Sequence, residues 1–159
     1  MVILTLITVG TLKESYLKDA VSEYKKRLLQ YARVDEINIK EEPVHNEDDS
    51  AEIARALSLE GEKIISAIPK DSATVALCVE GKELDSLALS EKIREMQNEK
   101  GKITLIIGSS HGLSPAVKSR ADFKLSVSKL TFPHQLMRPI LLEAIYRSFT
   151  IIAGKKYHK

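Results

Sequence analysis

Apolar positions along the chain follow two periods that alternate. Val2–Val9 (VILTLITV) is an unbroken apolar run rich in β-branched residues and closed by Gly10, the pattern of a strand buried on both faces. From Glu14 to Gln30 the apolar residues Tyr16, Leu17, Ala20, Val21, Tyr24 and Leu28 recur at three- and four-residue spacing. Lys18, Lys25, Lys26 and Arg27 occupy the other face, which predicts an amphipathic helix. Val34, Ile37 and Ile39 suggest a second strand, and Glu41–Asp49, acidic and holding Pro43, reads as a loop. Ser50 is placed as the N-cap of a helix running to Ile68 and stopped by Pro69, with Gly61 inside it. That glycine costs about 1 kcal/mol relative to alanine.

The second half repeats the rhythm. Thr74–Val79 is a predicted strand, Gly81 a turn, Leu87–Gln97 a helix and Ile103–Ile107 a strand ending at Gly108. Ser114 and Pro115 form an N-cap with proline at the first helical position. Leu125–Val127 is a short strand, and Pro133–Ala153 a long helix stopped by Gly154. Strands alternating with helices predict an α/β fold, a mostly parallel sheet flanked by helices, and the length of 159 residues suits one domain covering residues 1–159.

Composition narrows the class of protein. No apolar run approaches the ~20 residues of a membrane-spanning helix. The Met1–Val9 run lacks the basic lead and small-residue cleavage site of a signal peptide. The single cysteine, Cys78, cannot form an internal disulfide, so a reducing, cytoplasmic location is expected. The net charge is only +2, but Glu41–Asp49 holds much of the acid, which leaves the rest more basic. A nucleic-acid partner is therefore compatible with the charge without being required by it.

Chemistry is expected at the carboxyl ends of the strands, where open α/β sheets bind ligands. Three segments qualify: Val75–Leu84, Ile103–Leu113 with its Gly108–Gly112 loop, and the turn within Ser126–Arg147. This last stretch joins a strand to an apolar helix through Lys129, Thr131, Pro133 and His134, and the helix carries Arg138, Glu143 and Arg147. The glycine loop is suited to presenting backbone N–H groups to an anion, yet it matches neither G-x-G-x-x-G nor the P-loop. A serine nucleophile is disfavoured because G-x-S-x-G is absent. The four histidines show no metal-ligand spacing with cysteine, so no metal is expected. Cys78 reads as a buried, inert thiol, and Glu143 with Arg147 as an i, i+4 ion pair. The tail Lys155–Lys159 (KKYHK) adds an aromatic and basic groups suited to bases and phosphates.

The segments Ile107–Gly112, Ser128–Gln135 and Tyr146–Arg147, with the Tyr157-His158-Lys159 ending, together resemble the RlmH (YbeA-type) large-subunit ribosomal RNA methyltransferases of the SPOUT superfamily. The likeness spans essentially the whole chain. It implies a C-terminal trefoil knot, a homodimer, S-adenosyl-L-methionine as cofactor, and methylation at N3 of a pseudouridine in helix 69 of 23S rRNA on the assembled ribosome. By position, it implies that Leu77, Gly108, Val127, Ser128, Lys129, Leu130, Thr131 and Phe132 hold the cofactor. Loss of the weakly acidic N3–H calls for a base or a positive environment, for which His134, Arg138, Tyr157 and His158 are the candidates. The resemblance also implies that the tail completes the partner subunit's site. Two positions depart from the family pattern, Pro139 and Ala144, and they bear on helix geometry and dimer packing. A SPOUT enzyme with a different RNA target and a non-catalytic ribosome-binding protein are the alternative readings.

Overall fold

The run Val2–Val9 forms β1, one of five strands in the computed structural model, which describes all residues from Met1 to Lys159. The others are β2 (Ala32–Ile39), β3 (Ala73–Glu83), β4 (Lys102–Ile107) and β5 (Phe123–Ser126). They form one sheet in the order β2-β1-β4-β3-β5, and every neighbouring pair is parallel. The helices are α1 (Ser15–Leu28), α2 (Ser50–Ala67), α3 (Ser86–Lys100), α4 (Pro115–Arg120) and α5 (His134–Ile152). None is long and apolar enough to cross a membrane.

Burial on both faces explains the unbroken apolar runs. On one face Leu4, Leu6, Val75 and Leu105 meet Val21 and Leu28 of α1, Ile93 of α3, and Leu142, Ile145 and Phe149 of α5. On the other, Ile7, Val9, Ala76 and Ile106 meet Ile64 of α2 and Val117 of α4. Alternate residues of β1 and β4 thus serve different cores, as the two-residue period of a strand requires.

Local chemistry corrects the sequence reading in three places. Asp49, not Ser50, caps α2: its Oδ1 accepts the N–H groups of Ala51 and Glu52 at 3.0 and 3.2 Å. A carboxylate both satisfies these free amides and complements the positive helix end. Ser114 caps α4 as expected, its hydroxyl accepting from Val117 N–H at 3.3 Å, with Pro115 the first helical residue. Gly61 permits a close approach, because a Cβ there would lie 2.4 Å from Ser114 Oγ.

Gly81 is the second correction, since it lies inside β3 rather than in a turn. Leu77 and Lys82 of β3 both stand opposite Leu125 of β5, so the residues between them bulge out of the ladder. Gly81 lets the strand return: a Cβ there would sit 2.7 Å from the Leu125 carbonyl carbon. The third correction concerns ends, with β3 and α3 each extending several residues beyond the predicted limits. α5 continues through Pro139 to Ile152, and Gly154, at φ 68°, terminates it.

Gly81→Ala is expected to lower unfolding stability by about 1–3 kcal/mol, the usual cost of overpacking, read from the urea midpoint. An unchanged midpoint would mean that β5 gives way freely.

Candidate functional site

A cavity of about 770 Å³ opens at the carboxyl ends of β3, β4 and β5, at the three segments singled out above. The bulge in β3 contributes Leu77, Cys78, Val79 and Glu80 to its wall. The turn after β4 contributes Gly108–Gly112. Gly108 has no room for a side chain, since a Cβ would stand 2.2 Å from the Gly112 carbonyl oxygen. Gly112, at φ 87°, donates its N–H to Ser109 O at 2.9 Å and closes the turn. His111 on this turn is held by Glu47, from the acidic loop.

The loop after β5 forms the third wall. It is stiffened from within: Ser126 Oγ donates to Ser128 O at 3.0 Å, and Leu130 N–H donates to Ser128 Oγ at 3.0 Å. The N–H groups of Val127, Ser128, Lys129, Thr131 and Phe132 have no partner within the chain. Leu130 is 70% exposed despite being apolar. A wall of unspent backbone donors and exposed apolar side chains suits a flat heteroaromatic ring better than a bare anion.

Of the residues expected to hold a cofactor, Leu77, Gly108, Val127, Ser128, Leu130, Thr131 and Phe132 line this cavity, and Lys129 does not. Of the four expected catalytic groups, only His134 lines it. Arg138 lines a separate hollow, and there its Nη2 donates to Val9 O and Gly10 O at 3.0 and 2.6 Å. Tyr157 and His158 line neither and rest on α5. Tyr157 donates its hydroxyl to Glu143 Oε1 at 3.1 Å, packs edge-on to Tyr146 at 4.9 Å and lies beneath the Arg147 guanidinium at 4.6 Å. His158 Nδ1 is 3.4 Å from Arg147 Nη1. The Glu143–Arg147 pair is therefore present at 2.6 Å, and it also docks the tail.

Val79, Glu80 and Met137 line the cavity within the segments singled out above without having been named, Lys118 lies outside those segments, and Cys78 was treated as fully buried. What hid the roles of Val79 and Glu80 was Gly81, misread as a turn rather than as the end of a bulge. Burial pushes the Cys78 thiol up, with Glu80 adding to the effect, so it stays protonated and unreactive. Lys118 hydrogen-bonds Glu80 and holds that carboxyl below its usual range. Burial pushes His134 down, helped by Arg138 and opposed by Glu41, leaving a neutral imidazole at neutral pH. Burial also pushes Glu60 up, while Glu42 N–H, donating at 2.9 Å, and the Ser109 hydroxyl act the other way. No three His, Cys, Asp or Glu side chains converge in a way that would hold a metal ion.

A parallel α/β sheet with a cavity built from three carboxyl-end loops defines a class of ligand-binding α/β domains. Within that class, the family described as "Predicted SPOUT methyltransferase" matches residues 2–158, and the chain belongs to it. It is 48% identical over 159 residues to the ribosomal RNA large subunit methyltransferase H of Bifidobacterium adolescentis, covering 98% of this chain and 99% of that one. It is 45% identical over 159 residues to the protein of the same name from Bacillus pumilus, with the same coverage. The Carboxydothermus hydrogenoformans protein of that name is 46% identical over 157 residues, covering 98% of this chain and 99% of its own.

The lowered His134 sets a sign for acid stability. Its folded pKa lies below the ordinary 6.5, so the unfolded chain binds the extra proton more readily and stability falls as pH drops below about 6.5. His134→Gln should flatten that part of the acid limb when melting temperature is followed against pH. Superimposable limbs would show that His134 is not held neutral.

Proposed function

We propose that this chain is an S-adenosyl-L-methionine-dependent methyltransferase acting on N3 of a pseudouridine in helix 69 of 23S rRNA, on the assembled ribosome. It works as a homodimer in the cytoplasm, with its C-terminal part threaded as a trefoil knot. The observation that carries this reading is the cavity itself, whose wall combines apolar residues with backbone N–H groups that nothing in the chain satisfies. The names of the relatives, each a ribosomal RNA large subunit methyltransferase H, supply the substrate class.

Leu77, Val127, Leu130 and Phe132 would wall the adenine of the cofactor, and the backbone at Gly108 and Ser128–Thr131 would read its polar edge. When bound, the cofactor supplies an electrophilic methyl group on a sulfonium sulfur. The protein's task is then to align the target nitrogen in a dry cavity and to remove its proton. His134 would take that proton: it lines the cavity, and burial keeps it neutral and able to accept. Arg138, one turn further along α5, adds fixed positive charge that favours the deprotonated ring.

Two structural features support the dimer and the knot. Tyr157 and His158 lie outside the cavity wall of their own chain, so a site that uses them draws them from a second copy. After the edge strand β5 the chain doubles back to bury α5 against α1 and α3, a return that knotted threading requires.

Titration calorimetry should show one S-adenosyl-L-methionine per chain. Deleting the gene should remove N3-methylpseudouridine from helix 69, and restoring it should return the mark. An unchanged mark overturns the assignment, and loss of a different methylation would redirect it to another RNA. Removing Tyr157–Lys159 should abolish methyl transfer while leaving cofactor binding within about twofold, since those residues line no part of the cavity. A tail-deleted chain mixed with a cavity-blocked chain should recover activity if the tail acts across the dimer. Full turnover by the truncated protein would remove the tail from the mechanism.

A further inference from the structure

Beside the cofactor cavity, one turn further along α5, lies a second hollow of about 490 Å³ lined from β1, β2, α1 and α5. Its floor is Arg138, only 5% exposed. One guanidinium nitrogen, Nη2, is spent on the Val9 and Gly10 carbonyls, while buried Nε has no partner and Nη1 makes no hydrogen bond. No carboxylate forms an ion pair with it; Glu36 acts on it only at longer range and is itself paired with Lys25. A guanidinium cannot lose its proton at any ordinary pH. Burying a charge without a paired counter-ion costs several kcal/mol, so this geometry calls for an anion from outside the chain.

The rest of the hollow fits that demand. Lys18 is exposed on α1 and has no ion-pair partner. Lys25 is engaged by Glu36 at 3.1 Å, so the hollow holds three cations against one carboxylate. Thr11 adds a hydroxyl. The Asn38 amide nitrogen is already committed to Thr8 Oγ1 and Gly10 O, which fixes the wall rather than reading a ligand.

We propose that this hollow is a subsite for a backbone phosphate of the RNA substrate, with Arg138 and Lys18 as its ligands. The proposal rests on the ribosomal RNA reading above. His134 and Arg138 are at i, i+4 and share one face of α5. A base presented to His134 in the cavity therefore carries its own strand towards Arg138. A multi-dentate guanidinium with free N–H groups is matched to phosphate oxygens, and a lysine beside it adds a mobile second charge. A second copy of the chain placing a carboxylate on Arg138 is the competing occupant.

The test uses the full-length protein and a helix 69 RNA hairpin, with affinity followed against salt by fluorescence anisotropy. Lys18→Gln is surface-exposed and should fold normally; it should weaken binding several-fold at low salt and make the log–log salt slope shallower by about 0.7 to 0.9, one phosphate contact. Arg138→Gln removes the same unit of charge and should do the same, and calorimetry should find S-adenosyl-L-methionine affinity unchanged in Lys18→Gln. Unaltered slopes with normal affinity would overturn the proposal. So would unaltered slopes accompanied by a weaker dimer in sedimentation, which would assign Arg138 to the partner copy. If wild-type protein binds neither the hairpin nor the assembled ribosome, the ribosomal reading fails by itself. Inorganic pyrophosphate then decides the subsite: raising the melting temperature of wild type but less that of Lys18→Gln upholds an anion site, and no difference between them removes it.

Discussion

Everything in this molecule depends on covering a parallel sheet on both faces. β1 and β4 lie in its interior, and their ladders are complete only if helices bury the side chains above and below. Three helices cover one face and two the other, so each crossover carries the chain back to the same edge of the sheet before the next strand begins. The consequence is geometric. All the strands run the same way, so their carboxyl ends share one rim, and the loops leaving β3, β4 and β5 meet there. The cavity follows from the crossover rule and the strand order more than from any individual side chain.

The elements were legible because each depends on local pattern. The unbroken run of β1, the three- and four-residue spacing of α1, the Ser114-Pro115 start and the Gly154 stop all act within a few residues. Strand order was not legible, since pairing β1 with both β2 and β4 is decided by contacts far apart in sequence. Gly81 shows the limit most clearly. Glycine is commonest where the chain turns, yet here it is required by the approach of β5, which no local pattern records. Asp49 and Ser50 were both competent caps, and the choice between them rested on where the first turn closed.

The site divides along the same line. The loop 127–132 and Gly108 were placed by resemblance, and all of them except Lys129 line one cavity. Their side chains gave little warning, because what they offer is free backbone N–H groups held by the Ser126 and Ser128 hydroxyls. The polar residues of α5 were easier to see and harder to assign. His134 faces the cavity, Arg138 the neighbouring hollow, and Glu143 and Arg147 hold the tail. A helical wheel separates His134 and Arg138 from Glu143 and Arg147, but nothing in the sequence says what each side chain meets.

Burial acts in opposite ways on the two ionisable groups at the start of α5, and this explains how one helix can serve two chemistries. Burial disfavours the charged form of each. Histidine responds by giving up its proton, so His134 becomes a neutral acceptor facing the cavity. Arginine has no neutral form within reach, so Arg138 must keep its charge and instead recruit oxygen atoms: the Val9 and Gly10 carbonyls from inside, and an anion from outside. Each also reinforces the other, since the fixed charge of Arg138 helps to hold His134 unprotonated. Replacing Arg138 by a neutral residue would therefore release His134 towards its ordinary pKa as well as emptying the hollow of charge. The first turns of α5 join a group that accepts a proton to a group that cannot release one.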